Sequence, residues 1–184
     1  MIRALVAFVI CAGAATAQTV PEPSDYRMDH YRAPVPDRIT GGTTIGPEAA
    51  HGLWQDKAAV FVDVLPQAPK PDNLPEDTIW RDKPRDSIPR AIWLPNVGYG
   101  AIAEVTGEYF RNGLETATAG DADQAVVFFC LEDCWMSWNA ARRAIEWGYT
   151  NVYWFPEGTD GWTLWDYPLE RVEPVPGQPV AGGG

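Results

Sequence analysis

The sequence predicts an α/β domain, and three observations carry that prediction. Apolar runs at 58–64 (AAVFVDV), 125–129 (AVVFF) and 152–155 (VYWF) are of strand length. Stretches with helix-forming composition separate them. The runs are apolar at consecutive positions, so both faces of the sheet must be covered, as in parallel sheets flanked by helices. Of the 184 residues, 46% are hydrophobic and 21% charged, an ordinary globular balance. That length fits one domain with an arm. A net charge of −11 argues against a nucleic-acid partner, which needs Lys and Arg for phosphates. It equally disfavours anchoring to anionic lipid.

Residues 1–17 read as an address. Arg3 precedes an apolar run at 4–14, and Ala15-Thr16-Ala17 fits the small-x-small cleavage rule. The run is too short to span a bilayer as a helix. Cleavage after Ala17 and export to the periplasm are expected, without stable membrane insertion. Cys11 follows the branched Ile10, which does not suit a lipoprotein site. Loss of Cys11 leaves Cys130 and Cys134 as the two cysteines, in a compartment where disulfides persist.

Residues 18–40 form a Pro-rich arm, with Pro21, Pro23, Pro34 and Pro36 interleaved with Tyr26 and Tyr31. The arm is expected to lie on the domain, which spans 41–170. A helix is predicted at 47–55, where Pro47 suits the first turn and Glu48 the positive end of the dipole. The strand at 58–64 follows. Residues 66–87 are a Pro-rich insertion, of a length that in compact domains is often functional and otherwise covers an edge. A short strand is expected at 88–94 (IPRAIWL). A helix is expected over 101–114, although Gly107 and Gly113 weaken it. After the strand at 125–129, the strongest helix runs over 137–147. There Ser137 is the expected cap and Gly148 the stop. The strand at 152–155 follows. Residues 171–184 are rich in Pro and Gly and read as a disordered tail.

The chemistry concentrates in the loop between the strongest strand and the strongest helix. It reads Cys130-Leu131-Glu132-Asp133-Cys134-Trp135-Met136-Ser137. In open α/β sheets, ligands bind beyond the carboxyl ends of strands. Backbone N–H groups at a helix N-terminus can lower a thiol pKa. Cysteines four apart in a curved loop fall within reach of a disulfide. Three readings of the pair stay open. Cys130 can carry a persulfide, sulfenate or mixed disulfide that Cys134 resolves. The pair can be an inert disulfide, although so short a loop gains little chain entropy. Or the thiolates can hold a cofactor or a soft metal. The cofactor is not identified by the sequence, and no metal site is assigned. The histidines are His30 and His51, distant from the loop in sequence. The carboxylates Asp121, Asp123, Glu157 and Asp160 follow no calcium-loop spacing.

Nine tryptophans are present, and six (Trp135, Trp138, Trp147, Trp154, Trp162 and Trp165) lie in or after the loop. Most should be core. Trp135 either packs or serves recognition, by stacking on a flat quinone or anchoring a protein.

Residues from about 41 to 169 resemble a rhodanese-like domain. Asp63 ends the first apolar strand, as in that family's Asp-x-Arg element. Ile88-Pro89-Arg90-Ala91-Ile92 is similar to its Ile-Pro-Gly-Ala element. Cys130 occupies the position of its active-loop cysteine. Gly148-Tyr149-Thr150-Asn151-Val152, Glu157-Gly158 and Trp162 resemble its closing motif. The resemblance implies a mainly parallel five-stranded sheet with helices on both faces, and possible sulfurtransferase or thiol–disulfide oxidoreductase activity. It implies Cys130 and Cys134 as catalytic residues and Asp63 as support. Residues 131–133 and 135–137 then form the active loop. Two departures stand out. Asp63-Val64-Leu65 lacks the family's Arg, and the loop carries no cation. Glu132 and Asp133 would repel phosphate and thiosulfate.

A narrower resemblance combines the signal peptide, the Tyr-Arg-Ala-Pro-Val-Pro arm (31–36) and the Cys-x-x-x-Cys-Trp motif. Together they resemble exported proteins associated with alcohol catabolism by pyrroloquinoline-quinone-dependent dehydrogenases. This implies such a dehydrogenase, or its cytochrome, as a partner. The other class of function is a non-catalytic accessory that binds a cofactor, metal or dehydrogenase through Trp135, the insertion and the arm.

Overall fold

The computed structural model describes residues 20–68, 71, 73–75, 77–79 and 81–179. The predicted signal peptide and the last five residues of the tail lie outside them. In chain order the elements are β1 (Thr43–Thr44), α1 (Pro47–Gln55), β2 (Val60–Asp63), β3 (Arg85–Ser87), β4 (Ile92–Trp93) and α2 (Glu104–Thr118). They continue with β5 (Val126–Phe129), α3 (Trp135–Glu146), β6 (Val152–Phe155), α4 (Gly158–Leu164) and β7 (Glu170–Val172). Five strands form one sheet in the order β1-β6-β5-β2-β4. Every pairing in it is parallel. The α/β class and the five-stranded parallel sheet are therefore as the sequence led us to expect.

Alternation along the strands divides the core in two. Val62, Val126, Phe128, Val152 and Trp154 face α2 and α3, meeting Phe110, Leu114, Trp138 and Ala141. Phe61, Val127, Phe129 and Phe155 face α1 and α4, meeting Ala50 and Trp162. Helices thus cover both faces, which is why β5 is apolar at every position. Burying each of the large side chains contributes roughly 2–3 kcal/mol before entropy is counted. The two-residue β1 carries too little pattern to be read from sequence. Gly113 does not break α2, because it has a packing role. A Cβ there would sit 2.6 Å from Leu94 Cδ2, so its absence lets the helix settle against Leu94.

Two expectations are corrected. Ser137 does not cap α3: the helix starts two residues earlier, with Cys134 extended at its N-cap. The tail is not free from residue 171. Strand β7 pairs antiparallel with β3 at the end of the Pro-rich insertion. Arg171 Nε donates to Asp86 Oδ1 at 2.7 Å, Val175 N–H donates to the Trp93 carbonyl at 2.9 Å, and Tyr109 Oη donates to the Val175 carbonyl at 3.0 Å. Val172 is buried and Val175 packs against the core, seats that the Pro and Gly content of the segment does not announce. Among the described residues, no helix is long and apolar enough to cross a membrane.

Candidate functional site: a covered cystine at the end of the central strand

Strand β5 ends at Phe129, so Cys130 leaves the sheet at its carboxyl edge. Cys130 and Cys134 form a disulfide with their Cα atoms 6.2 Å apart, within the usual range. Between them Leu131 is half-buried, whereas Glu132 and Asp133 are exposed. Asp133 has φ +52°, a left-handed conformation that Asp tolerates better than most residues. Trp135, Met136 and Ser137 begin α3 and are buried. Ser137 Oγ donates to the Cys134 carbonyl at 2.9 Å and accepts from Trp154 Nε1 at 3.0 Å. The hydroxyl therefore ties the loop to β6.

Beneath the loop lies a polar cluster. Asp63, at the end of β2, is fully buried. Its Oδ2 accepts from Arg85 Nε at 2.7 Å and Ser87 Oγ at 2.5 Å, and its Oδ1 accepts from Leu65 N–H at 2.9 Å. Burial pushes the Asp63 carboxyl above its ordinary pKa. Arg85, Ser87 and the Leu65 amide pull it back down. Arg85 Nη2 reaches Thr159 Oγ1 at 3.3 Å and the Cys130 carbonyl at 3.5 Å. The same carbonyl accepts from Thr159 N–H at 3.1 Å.

Arg85 is the residue that sequence reasoning missed. It comes from β3, 22 residues after Asp63 in the chain. No local pattern in Arg85-Asp86-Ser87 announces this; the fold turns Arg85 and Ser87 inward and leaves Asp86 exposed. Gly158 completes the cradle. It has φ +52°, and a Cβ there would collide with the Cys130 carbonyl.

The arm closes the loop from the other side. Arg32 and Cys134 form an antiparallel bridge. Trp135 N–H donates to the Tyr31 carbonyl at 2.9 Å, and Ala33 N–H donates to the Asp133 carbonyl at 3.1 Å. Trp135 Nε1 donates to the Pro34 carbonyl at 3.1 Å. The first free amide of α3, which a bound anion would otherwise use, is thus taken by the arm. Trp135 is 3% exposed. Its ring packs edge-on against Trp138, with the Arg27 guanidinium 5.2 Å from its centroid. In this state it is a packed residue beneath the arm. Cys130 is fully buried and Cys134 is 2% exposed.

The remaining candidates are dispersed. His51 stacks on Tyr167, 3.8 Å between ring centroids, and also meets Trp54 and Trp162. Asp160 Oδ2 accepts from Glu132 N–H at 3.0 Å. Glu157 Oε2 is buried without a hydrogen-bond partner. Burial first, and then the negative charge of Glu132, raise the Glu157 pKa. Asp123 accepts from Thr150 Oγ1 at 2.6 Å, and Asp121 from Asp123 N–H at 2.9 Å. Among the described residues, no three His, Cys, Asp or Glu side chains are grouped to hold a metal ion. No family model matches the chain, and no curated protein matches it.

Proposed function

We propose that this is an exported rhodanese-like protein in which the Cys130–Cys134 pair performs thiol–disulfide exchange. The observation that carries the proposal is the placement of the cystine, at the carboxyl end of the central strand and the N-terminus of α3. That is where this architecture presents reactive groups. In the productive direction, the Cys130 thiolate attacks an external disulfide and one external thiolate leaves. Cys134 then attacks the mixed disulfide at Cys130 and releases the second external thiolate, regenerating the cystine. Two electrons pass from the pair to the external disulfide.

Exchange is favoured over thiosulfate or phosphoryl chemistry by the charge pattern. Arg85, the cation brought against the Cys130 carbonyl, is engaged by Asp63, and the exposed loop residues are acidic. Support of pyrroloquinoline-quinone-dependent alcohol oxidation, through a dehydrogenase or its cytochrome, rests on the motif resemblance. A second reading is favoured by the burial of both sulfurs. Under it the cystine is inert, and the protein is a non-catalytic accessory to such a dehydrogenase.

Cys134→Ser separates the two readings. Incubated with oxidised glutathione after reduction, the variant should accumulate a mixed disulfide on Cys130 that wild type resolves. Mass spectrometry reads the adduct. A variant that binds no glutathione would contradict exchange chemistry and leave the accessory reading.

A further inference from the structure

The arm covers the cystine in the manner of an edge strand. Tyr31, Ala33 and Val35 are half-buried against the core, while Arg32 and Pro34 point outward and are exposed. The backbone partners of this segment are Asp133, Cys134 and Trp135. Asp133 lies inside the ring closed by the disulfide, Cys134 is one end of it, and Trp135 adjoins it. The arm therefore pairs with a loop that the disulfide closes and that contains the left-handed Asp133.

The covering segment is held separately from its upstream anchor. Arg27 N–H donates to Asn139 Oδ1 and the Arg27 carbonyl accepts from Asn139 Nδ2, both at 2.9 Å. Arg142 Nη2 donates to the Ser24 carbonyl at 2.8 Å. Both partners lie on α3, clear of the cystine ring. Between anchor and cover stands His30, with φ +45°. Downstream, Ile39 packs in the core. Contacts at 24–27 and at Ile39 thus flank residues 31–35, where Tyr31 Oη also accepts from Gly100 N–H at 3.1 Å and the Tyr31 ring meets Tyr99 edge-on.

We propose that residues 31–35 form a redox-coupled strap over the cystine. The inference rests on the exchange chemistry above and specifies how that chemistry is regulated. While the disulfide is closed, the loop keeps the shape that pairs with the strap, and the sulfurs are shielded. Reduction by a dithiol requires the strap to lift. One thiolate of the dithiol attacks a sulfur of the pair, the S–S bond breaks, and the other cysteine leaves as thiolate. The second thiol then resolves the mixed disulfide, forming the external disulfide and leaving two protein thiols. With the ring open, Leu131, Glu132 and Asp133 are released from the shape that the pairing needs. The strap seats less firmly, and the first amide of α3 becomes available. Reduction thereby uncovers the site, and oxidation covers it.

The test measures rates in the folded protein. Ala33→Pro removes the N–H that the Asp133 carbonyl accepts, and leaves the cysteines, Asp63 and Arg85 untouched. Reduction by dithiothreitol, followed by thiol labelling, should be about ten-fold faster in Ala33→Pro than in wild type, the scale of one backbone hydrogen bond in an opening equilibrium. Independently, trypsin should cut wild-type protein after Arg32 at least about ten-fold faster when reduced than when oxidised, with unchanged near-ultraviolet circular dichroism. Equal reduction rates together with equal trypsin rates would overturn the strap while leaving the exchange chemistry standing. A cystine that resists native-state reduction in both proteins would overturn both.

Discussion

Replacing Arg85 by methionine isolates the energetic role of the arginine paired with the buried Asp63. Asp63 has no solvent-exposed side-chain surface and the Arg85 side chain is 9% exposed, so water cannot replace the lost partner. Methionine keeps most of the apolar stem, which makes the packing loss small. Ser87 Oγ and Leu65 N–H remain, but the short bond from Arg85 Nε is gone. Stripping one partner from a buried ion pair costs about 3–5 kcal/mol. The bonds to Thr159 and the Cys130 carbonyl are long and add little. We expect a loss of about 3–4 kcal/mol at pH 7, or roughly 10 °C in Tm for a domain of this size.

The pH dependence fixes the cause. Without Arg85, burial alone dominates the Asp63 carboxyl and its folded-state pKa rises further above the unfolded value. A carboxyl raised in the folded state supports stability at low pH and withdraws that support as pH rises through its folded pKa. The deficit of Arg85→Met should therefore shrink on acidification. The double variant Asp63→Asn/Arg85→Met should recover most of the loss at pH 7. Urea denaturation at several pH values measures all three effects. A loss under about 1 kcal/mol, or one independent of pH, would refute the argument that Arg85 neutralises a buried charge.

Three further outcomes follow from the same geometry. Gly158→Ala should cost about 1–3 kcal/mol in denaturant titrations, because it combines a left-handed backbone with a collision at the Cys130 carbonyl; a neutral effect would mean that the loop can shift freely. Ser137→Ala should cost about 1–3 kcal/mol, since it leaves the buried Trp154 indole N–H without its acceptor; Trp fluorescence during unfolding reads it. Glu157→Gln should raise Tm at pH 7, and the gain should fade as pH drops towards the ordinary carboxylate range. The Glu157 pKa is raised in the folded state, so its ionised form opposes folding above that value; calorimetry at pH 7 and pH 4.5 compares the two.

What could be read in the sequence was local. The runs at 125–129 and 152–155 carry their own signal, because a strand covered on both faces must be apolar throughout. Cys130 is placed by its position one residue past such a run. The features that escaped are non-local. Arg85 sits at the end of a proline-rich insertion, and only the pairing of β3 with β7 brings its guanidinium to Asp63. The alternation of Tyr31, Ala33 and Val35 is short, and the prolines beside them mask it as a strand signal. The pairing of the arm with Cys134 joins segments about a hundred residues apart in the chain. The same pairing explains why a cap at Ser137 is the natural reading and a mistaken one. A backbone carbonyl from the arm, not a side chain, serves the first amide of α3. Tryptophan content points to the core, but only packing separates the buried Trp138, Trp154 and Trp162 from Trp165, which is 51% exposed.

The central claim is that Cys130–Cys134 is a working exchange pair and not an inert staple. Its most direct test is the reduction potential of the pair, obtained by quantitative thiol labelling of the purified protein across defined redox buffers. The account predicts a potential near about −200 mV. A potential well below about −300 mV would contradict it and identify a structural disulfide.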